Sequence, residues 1–139
     1  MRAIMRRVSR EDGVAATEFA LILPVLALIL FGTIEFGRAL SQYQVYQGAA
    51  REGARCAAVA STSDCDVQDE IDQAAAPYDP EKDAAIEVLE GGGSRPEGCL
   101  EADRGQDVQV SWEQPLDVNI PFWRAMTITS SIKAVFRCE

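Results

Sequence analysis

The chain contains no histidine. That excludes a His-based catalytic triad and any His-ligated metal centre. It has no Cys-x-x-Cys pair either, so a zinc site would need four cysteines at spacings that lack paired ligands. Basic residues are scarce beyond the first part of the chain. Residues 38–139 hold nine Lys or Arg against eighteen Asp or Glu. A phosphate backbone requires basic surface, so no nucleic-acid partner is expected. The glycine-rich run Gly91-Gly92-Gly93-Ser94-Arg95-Pro96 lacks the Lys-Ser/Thr ending of a phosphate-binding loop. It reads as a flexible loop tip. The acidic residues sit in polar runs such as DVQDEID and YDPEKD, the pattern of solvated faces, and nothing marks two of them as a catalytic pair. No enzyme activity, cofactor or metal is expected.

What the chain does have is one long apolar stretch, Val14 to Ile34 (VAATEFALILPVLALILFGTI). A bilayer core of about 30 Å needs about 20 apolar residues at about 1.5 Å each. The stretch is long enough to span. Its single charge is Glu18, and a lone carboxylate in lipid calls for a partner or for snorkelling to the headgroups. Arg2, Arg6, Arg7 and Arg10 precede the span and acidic sequence follows it. That asymmetry places the N-terminus in the cytoplasm and residues 38–139 outside. No small-x-small cleavage site follows the span, so ordinary signal-peptide removal is not expected. The expected organisation is a basic cytoplasmic leader (1–13), a transmembrane helix (14–35) and a periplasmic α+β domain (36–139). Roughly 100 residues beyond the span suffice for one small domain.

The helical pattern runs on past Ile34. Phe36, Leu40, Tyr43, Gln47, Ala50, Ala54 and Ala57 recur at three- and four-residue steps and share a face. A helix from Val14 to Ala60 would be about 70 Å long. Within the span, Pro24 removes one backbone hydrogen bond, and Gly32 and Gly37 allow close helix approach. STSDCD (61–66) is a turn, with Asp64 or Asp66 as cap of a short helix over Val67–Ala76 that Pro77 stops. Its apolar face is Val67, Ile71 and Ala74 or Ala75.

Three later segments read as strands. Ala84–Leu89 places Ile86 and Val88 together. Gln106–Glu113 places Val108, Val110 and Trp112 on one face, and Pro115 is expected to interrupt it. Leu116–Trp123 reads as an extension and then a loop, either capping the core or touching the membrane interface. Met126–Arg137 alternates again, with Met126, Ile128, Ser130, Ile132, Ala134 and Phe136 together. The fold class is therefore α+β: a long transmembrane helix continuing into a small domain with a second short helix and a three- to four-stranded antiparallel sheet. One apolar sheet face must cover something, and the small-residue face of the long helix is the natural partner.

Cys56, Cys65, Cys99 and Cys138 all lie in the outer segment, and an even set reads as a disulfide framework in an oxidising compartment. Three connectivities are possible. Cys56–Cys65 with Cys99–Cys138 is preferred, because the first closes a short loop and the second staples late elements.

The segment Glu11–Phe19 joins a basic leader ending in Gly13 to a span with Glu18 five residues later. This resembles the processing site of type IV pilins and pseudopilins. The longer string is more specific. Gly13, Ala16, Glu18, Phe19, Ala20, Pro24, Gly32, Glu35, Arg38 and the stretch AAREGAR (49–55), with the ending SIKAVFRCE, resemble the TadE-like family, the pseudopilins of the tight-adherence (Flp, type IVb) pilus system. The resemblance implies a pilin-like fold and a cut by a prepilin peptidase between Gly13 and Val14. It implies that Glu18 and Phe19 serve assembly, with Glu18 pairing to the new α-amine of a neighbouring subunit. It also implies the partners: that peptidase, other pseudopilins and the pilin of the system, an inner-membrane assembly platform, and lipid. The location would be the bacterial inner membrane, single-pass. The function implied is a minor pseudopilin that helps assemble the pilus and so promotes adhesion. The rival reading is an unprocessed, signal-anchored envelope binding module, which would tolerate Glu18→Ala. A third, an envelope enzyme, would show activity in the soluble part alone.

Overall fold

The computed structural model describes residues 10–60, 65–81, 83–91, 93–120 and 124–139. Helix α1 runs unbroken over Arg10–Val59, 50 residues and about 75 Å. Helix α2 spans Val67–Ala75. Strand β1 is Ala85–Val88 and β2 is Gly93–Ser94. A 3-10 turn at Glu101–Asp103 leads into the two long strands, β3 (Asp107–Val118) and β4 (Met126–Arg137). The sheet is four-stranded and antiparallel, in the order β2-β1-β3-β4.

The two halves of α1 live in different surroundings. From Gly13 to Arg38 every described side chain is exposed or half-buried. Beyond it Ala39, Tyr46, Ala49, Ala50, Gly53, Ala54, Cys56, Ala57 and Ala58 are buried. The alanines let α2 and the sheet approach the helix closely. At Gly53 even a methyl is too much: a Cβ there would overlap Ile71 of α2. Ile71, Val67 and Ala75 form the buried face of α2, and Asp66 caps it by accepting from Gln68 N (3.0 Å) and Asp69 N (3.2 Å). The choice between Asp64 and Asp66 thus falls to Asp66, while Ser61–Asp64 lie outside the described residues.

The inner face of β3 is one unbroken alternation: Val108, Val110, Trp112, Gln114, Leu116 and Val118 are all buried. Pro115 does not interrupt it, contrary to expectation. β1 pairs with β3 only as far as Ser111, so at Pro115 the strand has β4 as its sole neighbour. A proline is tolerated on such a one-sided stretch. Gln114 is polar yet buried because its Oε1 accepts from Trp112 Nε1 (3.2 Å) and Glu81 N (3.2 Å). The glycine run is more ordered than a loop tip: Gly93 and Ser94 form β2, and Arg95 N donates to Ile86 O at 2.8 Å. The expectation that Pro121–Trp123 form an interface or capping loop lies outside the described residues.

The far end of α1 carries no basic side chain in its last turn. Its free carbonyls are capped instead by distant backbone. Cys99 N donates to Ala57 O (2.8 Å) and Glu139 N to Ala58 O (3.1 Å). The disulfides sit around this cap. Cys56 joins Cys65 and Cys99 joins Cys138, the expected pairing. The sequence separations are 9 and 39, so chain entropy assigns about 2.5 and about 4 kcal/mol to the two bridges. We expect Cys99→Ser with Cys138→Ser to cost more than Cys56→Ser with Cys65→Ser. Urea denaturation of the two double variants checks the order.

Candidate functional site: the free half of the long helix and its clamp

The exposed half of α1 is an apolar sleeve. Val14, Phe19, Leu21, Ile22, Val25, Leu26, Ile29, Leu30 and Ile34 all stand in the open, Leu21 at 79%. One helix of the chain, over Gly13–Val59, is long and apolar enough to cross a membrane. Pro24 lies inside it without ending it. Thr17 and Thr33 fold their hydroxyls back onto the carbonyls of Val14 and Ile29, each at 2.7 Å. That is how a hydroxyl is satisfied where no water is at hand.

Gly13, Val14, Glu18 and Phe19 all lie on this sleeve, within the first turns of the described helix. Gly13 has open space around it, with nothing within 4 Å of a built Cβ. Among the described residues nothing pairs with the Glu18 carboxylate. Whatever neutralises it comes from outside the described part of this chain. The four cysteines are gathered at the opposite, packed end and are all oxidised, which leaves no thiol as nucleophile or metal ligand.

Between the halves lies a clamp that sequence reasoning did not find. Arg38 donates to Glu35 Oε2 through Nε (3.1 Å) and Nη2 (3.0 Å), and through Nη2 to Asp117 O (3.1 Å). Glu35 and Arg38 are one turn apart, so their pairing was readable from spacing. The third partner, a main-chain carbonyl 79 positions away, was not. The clamp fixes the near end of the sheet to the point where α1 leaves the sleeve. Just beside it Phe36, Ala39, Leu40 and Tyr43 of α1 face Leu116, Val118, Ile128 and Ser130 of the sheet across an open apolar cleft of about 240 Å³. Phe36 and Leu40 share the helical face of the core alanines. They are exposed, at 68% and 45%, because the sheet does not close against the helix here.

Asp103, in the turn that leads into β3, is a carboxyl held by a built-in cation. The Arg95 guanidinium (3.1 Å) and Leu100 N–H (3.0 Å) hold its pKa below the usual value. A depressed pKa means stability that is present above the unfolded value, about 3.9, and is lost as pH falls through the lower folded value. Asp103→Asn is expected to weaken the fold at neutral pH and to flatten its acid dependence below about pH 4. Denaturation midpoints at pH 7, 4 and 3 test this.

The arrangement defines a class: an α+β protein with a long, exposed apolar helix and a disulfide-stapled head. Its free apolar helix needs lipid or other apolar helices around it. Residues 13–55 match the family model described as TadE-like protein. The match spans the sleeve, the Glu35–Arg38 pair of the clamp and most of the packed half of α1, and stops short of the sheet. No curated protein and no solved structure matches the chain.

Proposed function

We propose that this chain is a minor pseudopilin of a tight-adherence (Flp, type IVb) pilus system. A prepilin peptidase cuts it after Gly13. The sleeve of α1 then holds the protein in the bacterial inner membrane, with the head on the periplasmic side, and packs beside pseudopilin and pilin helices during assembly. The observation that carries this reading is a Glu18 with no partner among the described residues, on a bare apolar helix within the segment that matches the TadE-like model. A buried carboxylate is tolerated when an opposite charge reaches it. The amine released at Val14 would supply that charge from a neighbouring subunit. In this role the head is a structural and recognition element and performs no catalysis.

The test is the N-terminus of the membrane-extracted protein, read by intact mass and N-terminal sequencing, in cells with and without the peptidase. A start at Val14 that requires the peptidase supports the proposal. A start at Met1 in both strains overturns it and leaves an unprocessed anchored binding module as the better account.

A further inference from the structure

The cleft beside the clamp is apolar and open, and its position points to its occupant. α1 and β3 run in opposite directions. At the far end Cys138 N donates to Gln106 O, and Glu139 N reaches Ala58 O. At the near end Arg38 reaches Asp117 O. From Arg38 to Ala58 the helix rises about 30 Å. From Val108 to Val118 the strand covers about 33 Å. The two elements are therefore matched in length, and β3 runs toward the sleeve end of α1, bringing Asp117 beside Arg38. At that end exposed apolar side chains of the sheet and of the helix lie side by side. Met126 is 57% exposed and Ile128 46%, alongside Phe36 and Leu40 on the helix. The charged groups here are mostly satisfied: Glu35 by Arg38, and Asp117 by Thr127 Oγ1 at 2.7 Å. Arg124 stands exposed at the same end, with no partner among the described residues.

We infer that the near end of the head is itself a lipid-contacting surface. Met126, Ile128 and the cleft against Phe36 and Leu40 sit in the interfacial layer of the bilayer that holds the sleeve. Acyl-chain and glycerol groups occupy the cleft, and Arg124 meets the phosphates. The surface is continuous with the apolar sleeve, and that continuity selects lipid over a soluble partner. An interfacial apolar face with a cation at its rim is the pattern of a membrane-resting element. The head is then held upright by two contacts rather than swinging on one helix. This inference rests on the sleeve being the membrane span, as the proposed function requires.

The full-length protein, reconstituted in phosphatidylethanolamine–phosphatidylglycerol nanodiscs, tests it. A diazirine amino acid is placed singly at Ile128, Met126, Leu26 or Val135, and lipid adducts are read by mass spectrometry. Val135 is as exposed as Ile128, at 45%, but pairs with Gln109 at the far end of the sheet. The expected result is adducts at Leu26, Met126 and Ile128 and none at Val135. Capture at Leu26 with Ile128 no higher than Val135 overturns the lipid surface and leaves the span intact. Capture of a second protein chain at Ile128 in place of lipid overturns it in favour of a protein interface. Absence of lipid at Leu26 overturns the membrane reading and this inference with it.

Discussion

Gly98→Ala is expected to destabilise the head by about 2–5 kcal/mol, from a left-handed-conformation penalty of about 1–2 and an overlap of about 1–3. Gly98 has φ +89°, and a Cβ there would stand 2.6 Å from Ala60 Cβ and 2.8 Å from Ala57 O. Ala57 O is also the acceptor for the next residue's N–H, that of Cys99. The methyl would therefore press on the bond that caps α1, and the main chain cannot rotate away as a side chain would. Small domains have about 5–15 kcal/mol in hand, so the loss is a large share. Gly105→Ala is the control. It shares the positive φ, +85°, yet its Cβ would meet only Arg137 Nη2 at 4.0 Å. It should cost the conformational part alone, about 1–2 kcal/mol. Urea denaturation of both variants separates conformation from docking. Equal losses would mean that residues 98 and 99 do not rest on the helix end.

Why Gly98 matters was not legible in the sequence, whereas much around it was. Periodicity carried the reading wherever neighbours in sequence share a face. That is why the unbroken helix, the apolar face of α2 with Val67 and Ile71, and the alternation of β3 and β4 emerged from spacing, while the choice of Ala75 over Ala74 came from the packing. The cysteine pairing followed from loop length. Pro115 misled because a local rule about proline depends on whether a neighbouring strand is present at that position, and strand lengths are set by tertiary pairing. The burial of Gln114 is equally non-local: it rests on Trp112 nearby and Glu81 far away. Phe36 and Leu40 share the helical stripe of the core alanines. A stripe predicts a direction, and only the splay between helix and sheet decides whether something waits there. For the site, composition and the Gly13-to-Glu18 spacing were readable, since they are local. The Arg38–Asp117 contact and the cap at Ala57 and Ala58 join residues dozens of positions apart, and no local signal announces them.

Glu18→Gln is expected to leave the head folded and the cut after Gly13 intact, and to abolish incorporation into the pilus assembly. The side chain stands on the sleeve, far from the disulfide-stapled core, so the fold has no stake in it. The amide keeps size and hydrogen-bonding capacity but removes the charge that would meet a neighbour's α-amine. An uncompensated buried cation costs about 3–5 kcal/mol, or roughly two to four orders of magnitude in association. Glu18→Asp keeps the charge but shortens its reach, and should recover part of the function. The readouts are peptidase-dependent mass, surface pilus counts, and cross-linking to partner subunits. Cleaved, folded Glu18→Gln that assembles normally would reduce Glu18 to a residue near the headgroups and remove the electrostatic step from the proposal. Loss of cleavage as well would place Glu18 in peptidase recognition. The combination that supports pairing is intact cleavage, lost assembly and partial rescue by Asp, since only a charge acting at a fixed distance after processing separates those three outcomes.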